Sequence, residues 1–137
     1  MADFTIRELL DATGGTLCAP SDFGDPIVHG FTIDTRTLTP GMGYAAIRGG
    51  TFDGHMFIPN AMEKGAVLSI SDTDVPYPHI RVRDTVLAYQ NIAKLHRERL
   101  DLPVVCITGS VGKTTTKEMV KSVLETTYRT QDRKSVV

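Results

Sequence analysis

One segment near the C-terminal end constrains the fold more than any other part of the chain. Residues 104–124 read VVCITGSVGKTTTKEMVKSVL, an apolar run followed by two glycines and a helical pattern that begins at Lys113. The apolar run is typical of a buried parallel strand. Glycines at such a junction let successive backbone N–H groups approach an anion, and a helix N-terminus adds partial positive charge there. The segment therefore predicts a strand, a phosphate-binding loop and a helix.

The residue types of this loop suit ATP. Lys113 is expected to reach the β- and γ-phosphates and is the predicted catalytic residue, while the Thr114 hydroxyl is the predicted Mg²⁺ ligand. The match to the general G-x-x-x-x-G-K-[ST] form is incomplete, because Ile107 occupies the first glycine position. The alternative is a glycine turn with a solvated lysine. The predicted ATP-binding residues are Gly109, Ser110, Val111, Gly112, Lys113, Thr114 and Thr115.

The rest of the chain alternates strand and helix patterns, which predicts an α/β protein. Thr5 and Glu8 have capping-box spacing ahead of a helix that Gly14 can end. Asp84 is expected to cap a second helix that runs to about Leu100. The strand-rich first part gives way to this helix near residues 81–84, which we take as the domain boundary. The predicted domains are residues 1–83 and residues 84–131.

Composition excludes several classes of function. Fifteen basic and sixteen acidic residues leave a net charge of −1, without the basic surplus of a nucleic-acid-binding protein. The first residues have neither the apolar core of a secretion signal nor the length of a membrane span. Cys18 and Cys106 lack metal-ligand spacing and are expected to be reduced, buried thiols. His79 has no partner at ligand spacing and is expected to be an ordinary packing or surface residue.

Four motifs resemble those of the Mur ligases, the enzymes that add amino acids to the peptidoglycan precursor. ITGSVGKTTTKEM resembles their ATP loop, which also lacks the outer glycine. DTR, PGMGYAAIRG and FDGHMFIPNAMEKGA resemble the N-terminal domain shared by two types in the family. One type adds the third amino acid and the other adds D-alanyl-D-alanine. The loop is more similar to that of the second type.

The resemblance implies a fold and a reaction. The first domain would be a small UDP-sugar-binding domain, and the second would be the beginning of a central ATP-binding domain. The implied activity is an ATP- and Mg²⁺-dependent ligation of D-alanyl-D-alanine to UDP-N-acetylmuramoyl-tripeptide through an acyl phosphate. The chain is further expected to be a monomer in the bacterial cytoplasm. It is not expected to bind nucleic acid or to insert into a membrane. The alternatives are the type that adds the third amino acid and a non-catalytic UDP-sugar-binding module.

The resemblance also implies which residues contact the uridine end of the substrate. Phe52 is expected to stack on the uracil base or to flank it. The neighbouring Gly50 would let backbone groups come close to the ligand. The alternative is a polar turn packed by one aromatic residue. For Arg36 and His55 the alternative is that they tie loops together. The implied contact residues are Thr35, Arg36, Gly50, Thr51, Phe52 and His55.

Two features predict that the sequence is incomplete. The helix after Lys113 has an apolar face with no partner sheet in this sequence, so we expect a truncated chain that is inactive alone. The last six residues, DRKSVV at 132–137, do not continue the family pattern and are expected to be a non-native tail. The apolar face comprises Met119, Val120, Val123, Leu124 and Tyr128.

Overall fold

The computed structural model describes residues 2–131 and contains two compact units, Met1–Leu100 and Asp101–Val137. The expected non-native tail at residues 132–137 lies outside the described residues. The strands are β1 Asp3–Phe4, β2 Thr16–Cys18, β3 Val28–His29, β4 Phe31–Thr32, β5 Gly43–Ala45, β6 Ser69–Ser71 and β7 His79–Arg81. The helices are α1 Ile6–Thr13, α2 Ile58–Glu63, α3 Thr85–Arg99 and α4 Lys113–Leu124.

A five-stranded sheet organises the first unit, with the strand order β2-β7-β6-β5-β4. Strands β4 to β7 are parallel to one another, and β2 pairs antiparallel with β7 at one edge. Strands β1 and β3 form a separate antiparallel pair. The predicted α/β class is confirmed.

Alternation along the strands separates two apolar clusters on the two faces of the sheet. On one face, α1 and α3 cover Ala45, Ile70 and Ile80. On the other face, α2 contributes Ile58 and Ala61 to a cluster that also contains Tyr44 and Ala46. Successive strand residues point to opposite faces, so Tyr44, Ala45 and Ala46 serve the two clusters in turn.

The predicted helix ends of the first unit are confirmed. Thr5 and Glu8 form a reciprocal capping box, and Gly14 ends α1 in the left-handed conformation at φ 64°. The Asp84 carboxylate accepts a hydrogen bond from the Leu87 N–H at 3.0 Å and so caps α3. These caps satisfy backbone donors that have no partner within the helix.

The first compact unit extends past residues 81–84, where the domain boundary is predicted, and that boundary stays a prediction. Helix α3 packs against α1, and its residues Ala88 and Ile92 are buried in the same cluster as Leu9. The first unit therefore continues to Leu100. The sequence pattern placed this helix with the loop that follows it, whereas the apolar stripe of the helix belongs to the core that precedes it.

The second unit consists of an extended segment and helix α4. The predicted strand before the loop is not formed, since residues 101–109 make no strand pairing. A strand is stable only when its backbone groups pair with a neighbour, and no described strand pairs with this segment. Cys106 is exposed and Cys18 is partly exposed, so the predicted burial of both thiols is wrong. Among residues 2–131, no helix combines the length and apolarity needed to cross a membrane.

Replacing Ile92 by alanine tests whether α3 belongs to the first unit. Ile92 is 3% exposed, and we expect Ile92→Ala to lower the free energy of unfolding by about 2–4 kcal/mol through the cavity it leaves. Val86 lies on the same helix at 43% exposure, so Val86→Ala is the matched control, with an expected change within about 0.5 kcal/mol. Urea unfolding followed by circular dichroism measures both. Equal stability of the two variants would contradict the assignment.

Candidate functional site

Because β4 to β7 are parallel, the loops that follow them lie together where the strands end, at the carboxyl edge of the sheet. The segments that begin at Ile33, Ala46 and Asp72 follow the carboxyl ends of β4, β5 and β6. Ligands of open parallel sheets bind outside the carboxyl ends of the strands. This edge is therefore the candidate nucleotide site of the first unit.

The turn after β4 is held by an ion pair between Asp34 and Arg36. The Arg36 Nε lies 3.0 Å from each Asp34 carboxylate oxygen, and its Nη2 lies 2.7 Å from Oδ2. Hydrogen bonds from the Arg36 side chain and backbone lower the pKa of Asp34 to about 2. Lys64 donates to the Thr35 carbonyl oxygen at 2.6 Å and ties the turn to the end of α2. The turn is thus fixed from two sides.

The loop after β5 is a tight turn that presents an aromatic residue to solvent. The Gly49 N–H donates to the Phe52 carbonyl oxygen at 2.8 Å, and Arg48 bridges to Asp53 across the turn. Gly50, Thr51 and Phe52 form the exposed tip. The Phe52 side chain is 58% exposed and meets the Phe57 ring edge-on at 6.3 Å between centroids.

Gly54 is required for this loop to close. A Cβ at position 54 would lie 2.6 Å from the Ile47 carbonyl oxygen and 2.7 Å from the Ile47 nitrogen. The Gly54 N–H donates to that same carbonyl oxygen at 2.9 Å. Any larger residue would separate the two backbone segments and displace the tip.

Four ionisable side chains connect the base of the β5 loop to the end of β6. His55 Nδ1 lies 2.6 Å from Asp53 Oδ1, and His55 Nε2 lies 3.0 Å from Asp72 Oδ1 without hydrogen-bond geometry. Arg48 pairs with Asp72 and also lies 3.3 Å from Asp53 Oδ2. Hydrogen bonds from the His55 backbone and ring lower the pKa of Asp53. We call Arg48, Asp53, His55 and Asp72 the loop-base network.

A buried tyrosine lies beneath both loops. The Tyr44 hydroxyl donates to the Gly54 carbonyl oxygen at 2.9 Å, and the residue is buried. Burial raises the pKa of Tyr44, and the charges of Asp34 and Asp53 raise it further. The Tyr44 hydroxyl thus anchors the base of the β5 loop from below.

The structure separates the predicted uridine contacts into two groups. Thr35 and the residues from Gly50 to Phe52 follow adjacent parallel strands at the same edge. His55 is different, because its side chain is 10% exposed and both ring nitrogens face carboxylates. Arg36 is exposed but paired with Asp34. For these two residues the geometry favours the alternative of tying loops together.

Sequence analysis missed three members of the loop-base network and the role of Tyr44. Arg48 and Asp53 both lie inside motifs that were recognised, and Asp72 directly follows a predicted buried strand. A polar residue at the carboxyl end of a parallel strand is itself a signal for this edge. Their mutual pairing depends on which strands are neighbours, and that order is not encoded in local spacing.

The two glycines of the phosphate loop in the second unit have positive φ angles. Gly109 and Gly112 have φ of 148° and 80°, values that favour glycine. Gly112 caps α4. Within residues 2–131, no side chain makes a capping hydrogen bond there, and a Cβ at Gly112 would meet open space. Lys113 and Thr114 are exposed at the helix start. These residues fit a nucleotide phosphate group with Thr114 as a hydroxyl ligand for Mg²⁺.

The Asp34–Arg36 ion pair leads to a prediction about the pKa of Asp34. Replacing Arg36 by glutamine removes the largest cause of the lowered pKa and leaves the backbone hydrogen bond. We therefore expect the pKa of Asp34 to rise from about 2 part of the way toward its ordinary 3.8. NMR titration of the carboxyl carbon measures this, and Arg83→Gln at another strand end is the control. An unchanged Asp34 pKa in Arg36→Gln would contradict the assignment.

The sign of the pH effect follows from the lowered pKa. The folded chain binds the Asp34 proton less readily than the unfolded chain does, so the pair stabilises the fold above about pH 4. That contribution is lost as the pH falls through the folded value of about 2. The acid-induced loss of stability should therefore be smaller in Arg36→Gln than in the unmodified chain.

Comparison with known proteins gives matches across both units. A sequence profile described as the Mur ligase family, catalytic domain, matches residues 27–101. A UDP-N-acetylmuramoyl-tripeptide–D-alanyl-D-alanine ligase from Synechocystis sp. is 39% identical over 127 residues, covering 88% of this chain and 27% of that protein. The chain thus spans about a quarter of the length of this relative.

Solved structures give the same result. A crystal structure of MurF from Acinetobacter baumannii matches 93% of this chain and 28% of its own, at 29% identity and a TM-score of 0.80. The MurF ligase from Thermotoga maritima in complex with ADP matches 73% of this chain and 24% of its own, at 32% identity and a TM-score of 0.60. The profile match ends at residue 101 and so rests on the first unit, independently of the phosphate loop. The chain belongs to the Mur ligase family.

Proposed function

We propose that this chain supplies the uridine-binding unit and the ATP loop of a ligase that joins D-alanyl-D-alanine to UDP-N-acetylmuramoyl-tripeptide. The observation that carries the proposal is the similarity to D-alanyl-D-alanine ligases of this family, which runs through both units. Two features support it. The exposed β5 loop tip suits the uridine end of the substrate, and the start of α4 suits the phosphates of ATP. With ATP as a substrate, we propose the bacterial cytoplasm as the location.

The β5 loop tip suits the uracil end of the substrate. Phe52 presents an exposed ring that can stack on or flank a pyrimidine, and base–aromatic stacking contributes about 1–3 kcal/mol per base in other systems. Gly50 has open space where a side chain would stand, so the backbone can approach the ligand. Thr35, at the end of the adjacent strand, adds a hydroxyl that can donate or accept a hydrogen bond.

The loop-base network is proposed to position this tip rather than to contact the ligand. His55 and Arg48 bind carboxylates on both sides of the turn, so the tip residues have a fixed base. Arg36 has the same role in the β4 turn through Asp34. A prearranged site loses less conformational freedom when the ligand binds.

The phosphate loop suits ATP. Backbone N–H groups at the start of α4 and the Lys113 ammonium would bind and orient the phosphates for transfer of the γ-phosphoryl group. The acceptor would be the terminal carboxylate of the tripeptide, with ADP leaving. The D-alanyl-D-alanine amine would then attack the acyl carbon and displace phosphate. Mg²⁺, held in part by Thr114, would neutralise charge on the phosphate oxygens.

Phe52→Ala tests the uridine site directly on this chain. Loss of the ring should weaken binding of UDP-N-acetylmuramoyl-tripeptide by about tenfold or more, since stacking is lost. Met56 is exposed in the same segment, so Met56→Ala is a matched control that should bind as the unmodified chain does. Isothermal titration calorimetry measures both affinities. Equal binding by the two variants would remove Phe52 from the site.

A hybrid enzyme tests the reaction. Residues 1–131 replace the matching part of the Synechocystis relative, and phosphate release is followed with UDP-N-acetylmuramoyl-tripeptide and D-alanyl-D-alanine. We expect turnover that falls by about 100-fold in Lys113→Ala, because one charged group on the phosphates is lost. Lys121→Ala, on the last turn of the same helix, is the control and should retain the rate.

Three outcomes of the hybrid experiment would contradict the proposal. A hybrid that prefers UDP-N-acetylmuramoyl-dipeptide would indicate the type that adds the third amino acid. Full activity of Lys113→Ala would remove the phosphate loop from the reaction. A hybrid that binds the UDP substrate without turnover, while the unmodified relative is active, would favour a binding module.

A further inference from the structure

A cluster of three metal-ligating side chains lies beside the β2–β7 pair and contains none of the residues predicted to contact a nucleotide. Cys18 on the edge strand β2 is directly opposite His79, the first residue of β7. The neighbouring pair, Leu17 and Ile80, packs into the cluster covered by α1 and α3. Because strand residues alternate, Cys18 and His79 share the opposite face of the sheet. Asp74, in the loop before β7, completes the group.

The hydrogen bonding of His79 leaves one ring nitrogen available as a ligand. Nδ1 lies 2.8 Å from the Tyr77 carbonyl oxygen, and a carbonyl only accepts, so Nδ1 carries the hydrogen. Nε2 therefore presents a lone pair. The side chain is 4% exposed, and Nε2 has no hydrogen-bond partner within residues 2–131. Buried polar atoms normally have a partner, so this nitrogen needs an explanation.

Two side chains near Nε2 are suitable co-ligands. One ligand atom each of Cys18, Asp74 and His79 lies within 4.8 Å of the others. Asp74 Oδ1 is 3.9 Å from Nε2, too far for a hydrogen bond. The Cys18 Sγ makes a long, 3.9 Å contact to the Thr16 carbonyl oxygen. The three donors thus converge without bonding one another.

We propose that Cys18, Asp74 and His79 bind one Zn²⁺. Sulfur, imidazole nitrogen and carboxylate oxygen are the ligands of zinc, at about 2.3, 2.0 and 2.0–2.2 Å respectively. A histidine whose other N–H is donated to a backbone carbonyl is the usual arrangement in such sites. Thiolate sulfur disfavours Mg²⁺ and Ca²⁺ as occupants. Three protein ligands leave a fourth position for water.

The charges near the cluster are compatible with a divalent cation. A Cys18 thiolate and the Asp74 carboxylate supply two negative charges against the two positive charges of zinc and the one positive charge of Arg81, which pairs with Asp74. Arg81 Nη1 lies 2.5 Å from Asp74 Oδ1, the same oxygen that lies 3.9 Å from His79 Nε2, so Oδ2 is the oxygen that would ligate zinc. Asp74 is exposed, so its side chain can rotate by the small distance that coordination requires. Zinc would then join the edge strand β2 to the loop that contains Asp74.

This site is independent of the proposed ligase function, and sequence spacing could not indicate it. The three ligands stand at positions 18, 74 and 79, and they meet only because β2 pairs antiparallel with β7 in this register. Cys18 was predicted to lack metal-ligand spacing, and His79 was predicted to be an ordinary packing or surface residue. Both predictions used only the separation of residues along the chain. Register places the two side chains opposite each other.

Cobalt substitution tests the site on the whole chain. Cys106→Ser leaves Cys18 as the single thiol, and Co²⁺ is the probe because sulfur ligation produces a near-ultraviolet charge-transfer band. We expect one equivalent of Co²⁺ to give the band and Zn²⁺ to abolish it by displacement. Cys18→Ser should remove the band, and Cys18→Ser and Asp74→Asn should each weaken zinc binding by more than about tenfold.

The controls distinguish the proposed site from adventitious binding. His29→Gln alters an exposed histidine beside Asp3 and should leave the zinc affinity unchanged. Hydrogen exchange should show slower exchange in β2 when Zn²⁺ is added. Because His79 is buried and its replacement can disrupt folding, the test relies on the less buried Cys18 and Asp74. Absence of the band, its persistence in Cys18→Ser, or equal zinc affinity in every variant would overturn the proposal.

Discussion

Each of the strands β4 to β7 runs in the same direction as its neighbour, and the rest of the first unit depends on this pairing. Two parallel strands cannot be joined by a tight turn. After each strand the chain must therefore return from its carboxyl end to the amino end of the next strand. Those crossings cover one face of the sheet with apolar side chains such as Leu38 and Ile58, while α1 and α3 cover the other face. They also send the segments after β4, β5 and β6 to the carboxyl ends of the strands, where their charged turns lie.

Charged side chains at that edge stabilise backbone conformations that apolar packing alone would not fix. Asp34 and Arg36 close the β4 turn, and the loop-base network connects the β5 loop to the end of β6. Surface ion pairs contribute little to stability singly, but networks with fixed geometry contribute more. Their structural result is that Phe52 is exposed at the tip of a loop whose base is held by ion pairs. The ion pairs at the base of the loop thus determine where the exposed tip lies.

Local sequence patterns predicted local structure well. The capping box at Thr5, the left-handed glycine at position 14 and the Asp84 cap each depend on residues within one turn, and all are found. The glycine conformations of the phosphate loop follow from the same kind of local rule. The motifs also indicated the family and the loops that carry its candidate site.

Features that depend on distant pairing were not accessible in the same way. The place of α3 in the first core depends on Ala88 and Ile92 meeting Leu9, and the opposition of Cys18 to His79 depends on strand order. The apolar run at residues 101–109 shows the reverse case, because its composition suits a strand but no described neighbour pairs with it. Periodicity describes the surface that an element offers, and the partner decides whether that surface is used.

The exposure of Phe52 has a practical consequence for spectroscopy. The chain contains no tryptophan, so its emission arises from four tyrosines, one of which is the buried Tyr44. An indole installed at position 52 would be the single tryptophan of the molecule and would stand at the tip of an ordered loop. Its fluorescence would report events at that loop alone, without a background from the core.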